Sequence, residues 1–294
     1  MLFLTLLIMS NTQILRNALL GTGVLFGIFL ALDYSLDSRV WEGMVISKSA
    51  LTVEYCEFNH PERLFHQPMN TYSNLIYFFY GLMVFQLGWK DWKAFAIRET
   101  NTVGKFPYLS LLLAANFIYL SLGSAFFHSS LTWIGQRMDM NATYGLTLSL
   151  ICIGMVQVVV KKELSKQIQV GLMVGMLLLI AGFLPLALQI SSSILLPSLF
   201  LILLVLGIIN YFQYPAQRIP VLGVLSFVLL AVAIQTRALD VAKVNCDPMS
   251  IWQGHALWHL LTATSSLSMY FYFRRIKKKF RFRRDYFNQL STNQ

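Results

Sequence analysis

The chain has 294 residues, of which 56% are hydrophobic and only 12% charged, with a mean hydropathy of +0.59. Soluble domains carry about a quarter charged residues, so the deficit points to lipid as the solvent. The net charge of +10 does not indicate nucleic acid, because eight of the 23 Lys and Arg lie between Arg274 and Arg284, directly after an apolar run, which is where a cytoplasmic membrane flank falls.

In chain order, eight apolar runs approach the ~20 residues that cross a bilayer: 14–33, 73–89, 107–128, 141–160, 168–189, 193–212, 219–236 and 253–273. None alternates with period two, and barrel strands are about half as long, so the predicted fold class is all-α, a polytopic membrane bundle. The first run reads as a retained span, since no small-residue cleavage site with a polar follow-on marks it as a signal sequence. Pro185 and Pro197 fall inside runs and predict kinks. The predicted organisation is an N-terminal transmembrane helix (1–36), an acidic segment (37–72), a seven-span core (73–273) and a basic tail (274–294).

Basic residues orient the bundle. With the C-terminus cytoplasmic, the inside carries Arg16, Lys90, Lys93, Arg98, Lys105, Lys161, Lys162, Lys166, Arg218 and the eight of the tail, 17 in all. The outside carries Arg39, Lys48, Arg63, Arg137, Arg237 and Lys243, six in all. Cytoplasmic loops hold the excess of Lys and Arg, so this topology is the predicted one. The host membrane and the oligomeric state are not legible.

Three of the five histidines, His128, His255 and His259, lie in or beside apolar runs. Ionisable groups at membrane depth are costly and mark functional sites by default. His255 and His259 are four apart, on one helix face and one turn from each other, the spacing of paired metal ligands. His128 ends the third run with Ser124 one turn before it, and Asp139 begins the fourth. The predicted topology brings these groups to within roughly 5–12 Å of the outer surface. Three His with an open position is a catalytic type of zinc site. The blander alternative is hydrogen-bonding glue between helices, with Asp139 a helix cap and Ser124 a packing residue. Bis-His haem ligation needs opposing helices, which an i, i+4 pair does not supply.

Glu54, Tyr55, Glu57 and Asn59, followed by Gln67 and Asn70, offer oxygen donors at alternate positions, a pattern that suits calcium as well as a solvated acidic loop. Cys56, Cys152 and Cys246 form no CxxC pair, which excludes a cysteine zinc ribbon or redox motif.

Together these blocks resemble the alkaline ceramidase family, within the seven-helix membrane hydrolases related to the adiponectin and progestin receptors. The resemblance lies in Glu54–Asn59 with Asn70–Leu75, in Gly123–His128 with Gln136 and Asp139, and in Gln253–His259. It implies a seven-transmembrane hydrolase core, with run 14–33 as an addition. It implies zinc on His128, His255 and His259, Asp139 as acid/base, Ser124 supporting the oxyanion, and a Cys56–Cys246 disulfide, for which the predicted topology places both thiols outside. It also implies calcium on Glu54, the Tyr55 carbonyl, Glu57 and Asn59, although Gln67 stands where the family usually has a carboxylate. Asp139 is followed by Met140-Asn141 instead of the usual Glu-Leu-Pro, and Ser130 replaces a usual Thr.

The expected function is zinc-assisted hydrolysis of the amide of ceramide or a related N-acyl lipid, releasing a fatty acid and an amine. The alternative is a non-catalytic, receptor-like protein that holds zinc structurally, for which Asp139 and Ser124 would be superfluous. A cation transporter would need polar residues continuing through the bilayer to the inner face, and deeper in these helices only apolar residues occur, apart from Thr and Ser such as Ser266.

Overall fold

A computed structural model describes residues 11–93, 103–160, 164–189 and 192–274. The basic tail beyond 274, together with Arg98, Lys161 and Lys162 of the topology argument, lies outside the described residues. The long helices are α1 (Asn11–Ser35), α4 (Leu75–Lys93), α5 (Pro107–Ser130), α6 (Trp133–Val159), α7 (Lys166–Gln189), α8 (Ser192–Gln213), α9 (Pro220–Val241) and α10 (Gly254–Arg274). Two short helices, α2 (Lys48–Leu51) and α3 (Pro68–Ser73), sit in the connection between α1 and α4. Among the described residues the only β-pairing is two isolated bridges, Asp37 with Arg63 and Ile46 with Thr132. The protein is an all-α polytopic membrane bundle.

Six of the long helices, α1 and α5 to α9, contain stretches long and apolar enough to cross a membrane. The other two, α4 and α10, have 19 and 21 residues and a more polar composition, and the reason is their position. Their hydroxyls face other helices. Tyr77 meets Thr262 at 2.5 Å, Tyr270 meets Ser110 at 2.9 Å, Ser265 donates to the Ser226 carbonyl at 2.7 Å and Tyr272 to that of Gly207 at 2.8 Å. Within lipid such bonds cross-link helices that have no hydrophobic drive to associate. Conversely, Leu20, Val24, Leu178, Leu201, Phe212, Val221 and Val228 are exposed, as lipid-facing side chains should be.

The central elements are α5 and α6. They run antiparallel and are joined by Leu131 and Thr132 alone. Leu131 adopts φ 49°, ψ 28° and its N–H closes the turn onto the Phe127 carbonyl, while Thr132 caps α6 by accepting from the Gly135 N–H at 3.2 Å. A Cβ on Gly135 would lie 2.9 Å from the Phe127 Cα, so the turn has no room for a side chain there. This tight connection starts α6 at Trp133, eight residues before the predicted run at 141. The amphipathic stretch Trp133–Met140 is therefore helical, and Asp139 stands in the second turn of α6 instead of at its start. Pro185 and Pro197 both lie inside helices.

The bundle has two chemically different ends. At one, where α5 ends and α10 begins, the 36–74 connection folds over the helices; this is the site end. At the other, Arg218 is fully buried, donating to the Phe273 carbonyl at 2.6 Å and to Gln157 Oε1 at 3.2 Å. Beside it Arg274 donates to the carboxylate of Asp91, which has no exposed surface. Removing one member of a buried pair strands the other charge, so Asp91→Ala should cost about 3–5 kcal/mol. The expected result is a large fall in thermal-unfolding midpoint in detergent, most of it recovered when Arg274→Met is added.

Candidate functional site

The site starts from the end of α5. The last carbonyls of a helix lack intrahelical partners, and here the connection supplies them. His66 N–H donates to the Ser129 carbonyl and Gln67 N–H to that of His128, both at 3.0 Å, while Ser47 N–H donates to that of Leu131 at 2.9 Å. This docking lays Gln67 against His128 and starts α3, with Pro68 in its first turn.

His128, His255 and His259 are all buried, and one ring nitrogen from each lies within 4.8 Å of the other two. His255 and His259 reach the point from the first two turns of α10, and His128 from the last turn of α5. Neighbouring hydrogen bonds set the tautomers. Gln67 Nε2 donates to Asn59 Oδ1 at 2.7 Å, so its Oε1, 2.7 Å from His128 Nδ1, accepts from that nitrogen. Ser73 donates its proton to the Asn70 carbonyl at 3.0 Å, so its Oγ accepts from His259 Nδ1 at 2.7 Å. Both Nε2 atoms are thereby left as bare lone pairs. His255 Nε2 lies 3.2 Å from His128 Nε2. Two ligands of one tetrahedral zinc, each about 2.0–2.1 Å from the ion, are about 3.3–3.4 Å apart. The set fits a metal ion: neutral imidazoles with aimed lone pairs, each of two held by an acceptor on its other nitrogen.

Tyr55 covers the cluster, its ring 3.9 Å from that of His255 and 5.4 Å from that of His128. Tyr77 stands edge-on to His259 at 6.0 Å. A disulfide joins Cys56 to Cys246 and ties the Tyr55 segment to the residues that lead into α10. The Cys56 N–H donates to buried Asp240 at 3.1 Å.

Ser124, one turn before His128, is buried, and its Oγ makes no hydrogen bond of normal geometry. The half-buried Asp139 carboxyl is the polar group next to it, close enough to attract its hydroxyl, and is within electrostatic reach of Arg237 and Glu54. Asp139 does not belong to the set of donors that meet at the three histidines. His60 and His66 lie in the connection, away from that set. Below the cluster a cavity of about 50 Å³ lies among α4, α5, α6, α8, α9 and α10, lined by Tyr77, Thr143, Phe200, Leu230, Trp258 and Met269 among others.

The five residues with calcium-type spacing are arranged differently from that expectation. Gln67 serves His128. Glu57 is buried and accepts from the N–H groups of Met69 at 2.6 Å and Asn70 at 2.8 Å. Glu54 pairs with Arg237 at 2.9 Å, and the Tyr55 carbonyl accepts from the Lys243 ammonium. Ser73 is the residue that sequence reasoning misses; its only signal is membership of the 70–75 block.

A family model described as Ceramidase matches residues 47–289. No curated protein and no solved structure matches the chain. The helices define a polytopic membrane bundle with a buried histidine cluster at one end. The chain belongs to the ceramidase family, whose chemistry is amide hydrolysis of ceramide.

Burial pushes the Glu57 carboxyl up to about 7, although the amides of Asn70 and Met69 pull the other way. A carboxyl whose folded pKa lies above its ordinary value contributes most stability below that ordinary value and loses it as pH rises through about 7. Raising the pH from about 6 to about 8 should therefore lower the unfolding midpoint, and Glu57→Gln should flatten that slope.

Proposed function

We propose that the protein is a zinc-dependent intramembrane amidohydrolase that cleaves ceramide or a closely related N-acyl lipid into a fatty acid and an amine. The observation that carries the reading is the convergence of three buried imidazoles, two of them held so that Nε2 is bare. Such borderline nitrogen donors suit zinc, and hard cations such as magnesium or calcium do not compete for them. Bound on His128, His255 and His259, zinc would supply Lewis acidity to the scissile carbonyl and to water.

The remaining work falls to the chain. Asp139, close to the cluster without joining it, takes the proton of the attacking water and returns it to the leaving amine. Ser124 Oγ, buried beside the Asp139 carboxyl, donates to the oxygen on which charge develops. Gln67 and Ser73 hold two imidazoles in the required tautomer. The cavity supports a lipid substrate. It starts at Trp258, next to His259, and follows α10 to Met269, about 16 Å along the helix. Its wall is mostly apolar, as an acyl chain requires, and Thr143, Thr147, Thr262 and Ser226 add hydroxyls to it.

The reading also places the site end on the outer side and the C-terminus in the cytoplasm. Two features support this: the distribution of Lys and Arg, and a disulfide at the site end, which belongs in an oxidising compartment. The helix α1 stands as an addition to the seven-helix core.

The test is hydrolysis of a panel of N-acyl lipids by purified protein, with fatty acid measured by mass spectrometry and metal content measured alongside. His259→Ala should lose both zinc and turnover. Asp139→Asn should keep zinc and lose roughly 10²–10⁴-fold in kcat, and Ser124→Ala should lose about 10²-fold with zinc retained. His259→Ala with zinc and full activity would overturn the assignment. Wild-type protein that holds zinc and hydrolyses nothing would favour the receptor-like alternative.

A further inference from the structure

The family resemblance implies a calcium ion on the outer acidic segment, and the residues present do not fit one. Calcium takes 6–8 oxygen ligands with free lone pairs directed at one point. Here most of the donors already accept hydrogens from the protein. Glu54 Oε1 accepts from Arg237 at 2.9 Å, and both Glu57 oxygens accept backbone N–H groups. Asn59 Oδ1 accepts from Gln67 Nε2 at 2.7 Å, and Gln67 Oε1 faces His128. The remaining donor, the Tyr55 carbonyl, accepts from Lys243 Nζ.

We infer that the Lys243 ammonium takes the place of calcium, so that the outer segment is held over the histidine centre by a cation built into the chain. Lys243 lies just beyond α9, three residues before Cys246, and the disulfide brings that turn against Tyr55. Its backbone is left-handed, with φ 57°. That conformation favours Gly or Asn at a helix end and costs a residue with a Cβ. The group that the Lys243 side chain reaches from this turn is the carbonyl of Tyr55. A carboxylate at position 67 would add a negative charge to the row; Gln67 adds none, and its amide NH₂ occupies the Asn59 oxygen instead.

The inference concerns the outer segment alone and does not depend on amide hydrolysis, so its test reads binding and unfolding. Full-length protein in detergent is compared in EGTA and in calcium up to a few millimolar, above the ~10⁻⁴–10⁻³ M dissociation constants of extracellular calcium modules. Radiocalcium binding and the unfolding midpoint are the readouts. Wild type should bind no stoichiometric calcium and melt identically in both. Lys243→Asn, which tolerates the left-handed turn, should melt lower in EGTA, whereas Lys243→Arg should stay close to wild type. The pair Gln67→Glu with Lys243→Asn should bind about one calcium per chain and regain stability in calcium only. Wild-type protein that binds about one calcium and melts higher with it overturns the inference, whether or not the variants fold. A Lys243→Asn midpoint equal to wild type in EGTA overturns the role of the ammonium. A double variant that binds no calcium overturns the claim that these two side chains exclude it.

Discussion

An α-helix ends in carbonyl groups that its own chain cannot satisfy, and α5 ends at the edge of the apolar region with His128 in its last turn. Two of these carbonyls and that of Leu131 receive N–H groups from Ser47, His66 and Gln67. The same bonds decide where the rest of the site goes. Once Gln67 N–H is on the His128 carbonyl, its side chain is within reach of His128 Nδ1, and α3 begins at the next residue and carries Ser73 to His259. A backbone need at one helix end thus becomes the support of the histidine cluster.

Lipid solvation explains how polarity is distributed through the remaining helices. Where a helix faces lipid it carries Leu, Ile, Val and Phe. Where it faces neighbours it carries Ser, Thr, Asn and Tyr, as with Asn116 Nδ2 on Ser149 Oγ at 3.0 Å. Helices α4 and α10 touch partners over much of their length, so they are the least apolar of the bundle and also the ones that frame the site. The end opposite the site anchors the helices with two buried arginines, Arg218 on carbonyl and amide oxygens and Arg274 on Asp91. The site end keeps its histidines uncharged and bare-faced instead.

At the site end the 36–74 connection has its own electrostatic arrangement. The Tyr55 ring packs against His255 at 3.9 Å, and its carbonyl accepts from the Lys243 ammonium. A chain ammonium on that carbonyl needs no ion supply, and the disulfide fixes the turn from which it comes. The cover over the histidines is accordingly assembled from covalent and internal contacts.

Much of this was legible before any coordinates. The eight runs, their helical nature and the metal-type pairing of His255 with His259 follow from hydrophobic length and from 3.6-residue periodicity, both local properties of the chain. The convergence of His128 with that pair followed from counting helices across a bilayer, because the membrane forces each span to a defined depth. Other features had no local signal. The start of α6 at Trp133 depends on the Leu131–Thr132 turn, and polar residues such as Gln136 and Arg137 hid it. Gln67 and Lys243 are the clearest cases. Spacing assigned Gln67 to a row of oxygen donors and counted Lys243 only as a loop charge. Their partners, His128 and the Tyr55 carbonyl, lie 61 and 188 residues away. Which hydrogen meets which lone pair is a matter of distances between helix ends, and only the tertiary structure sets those.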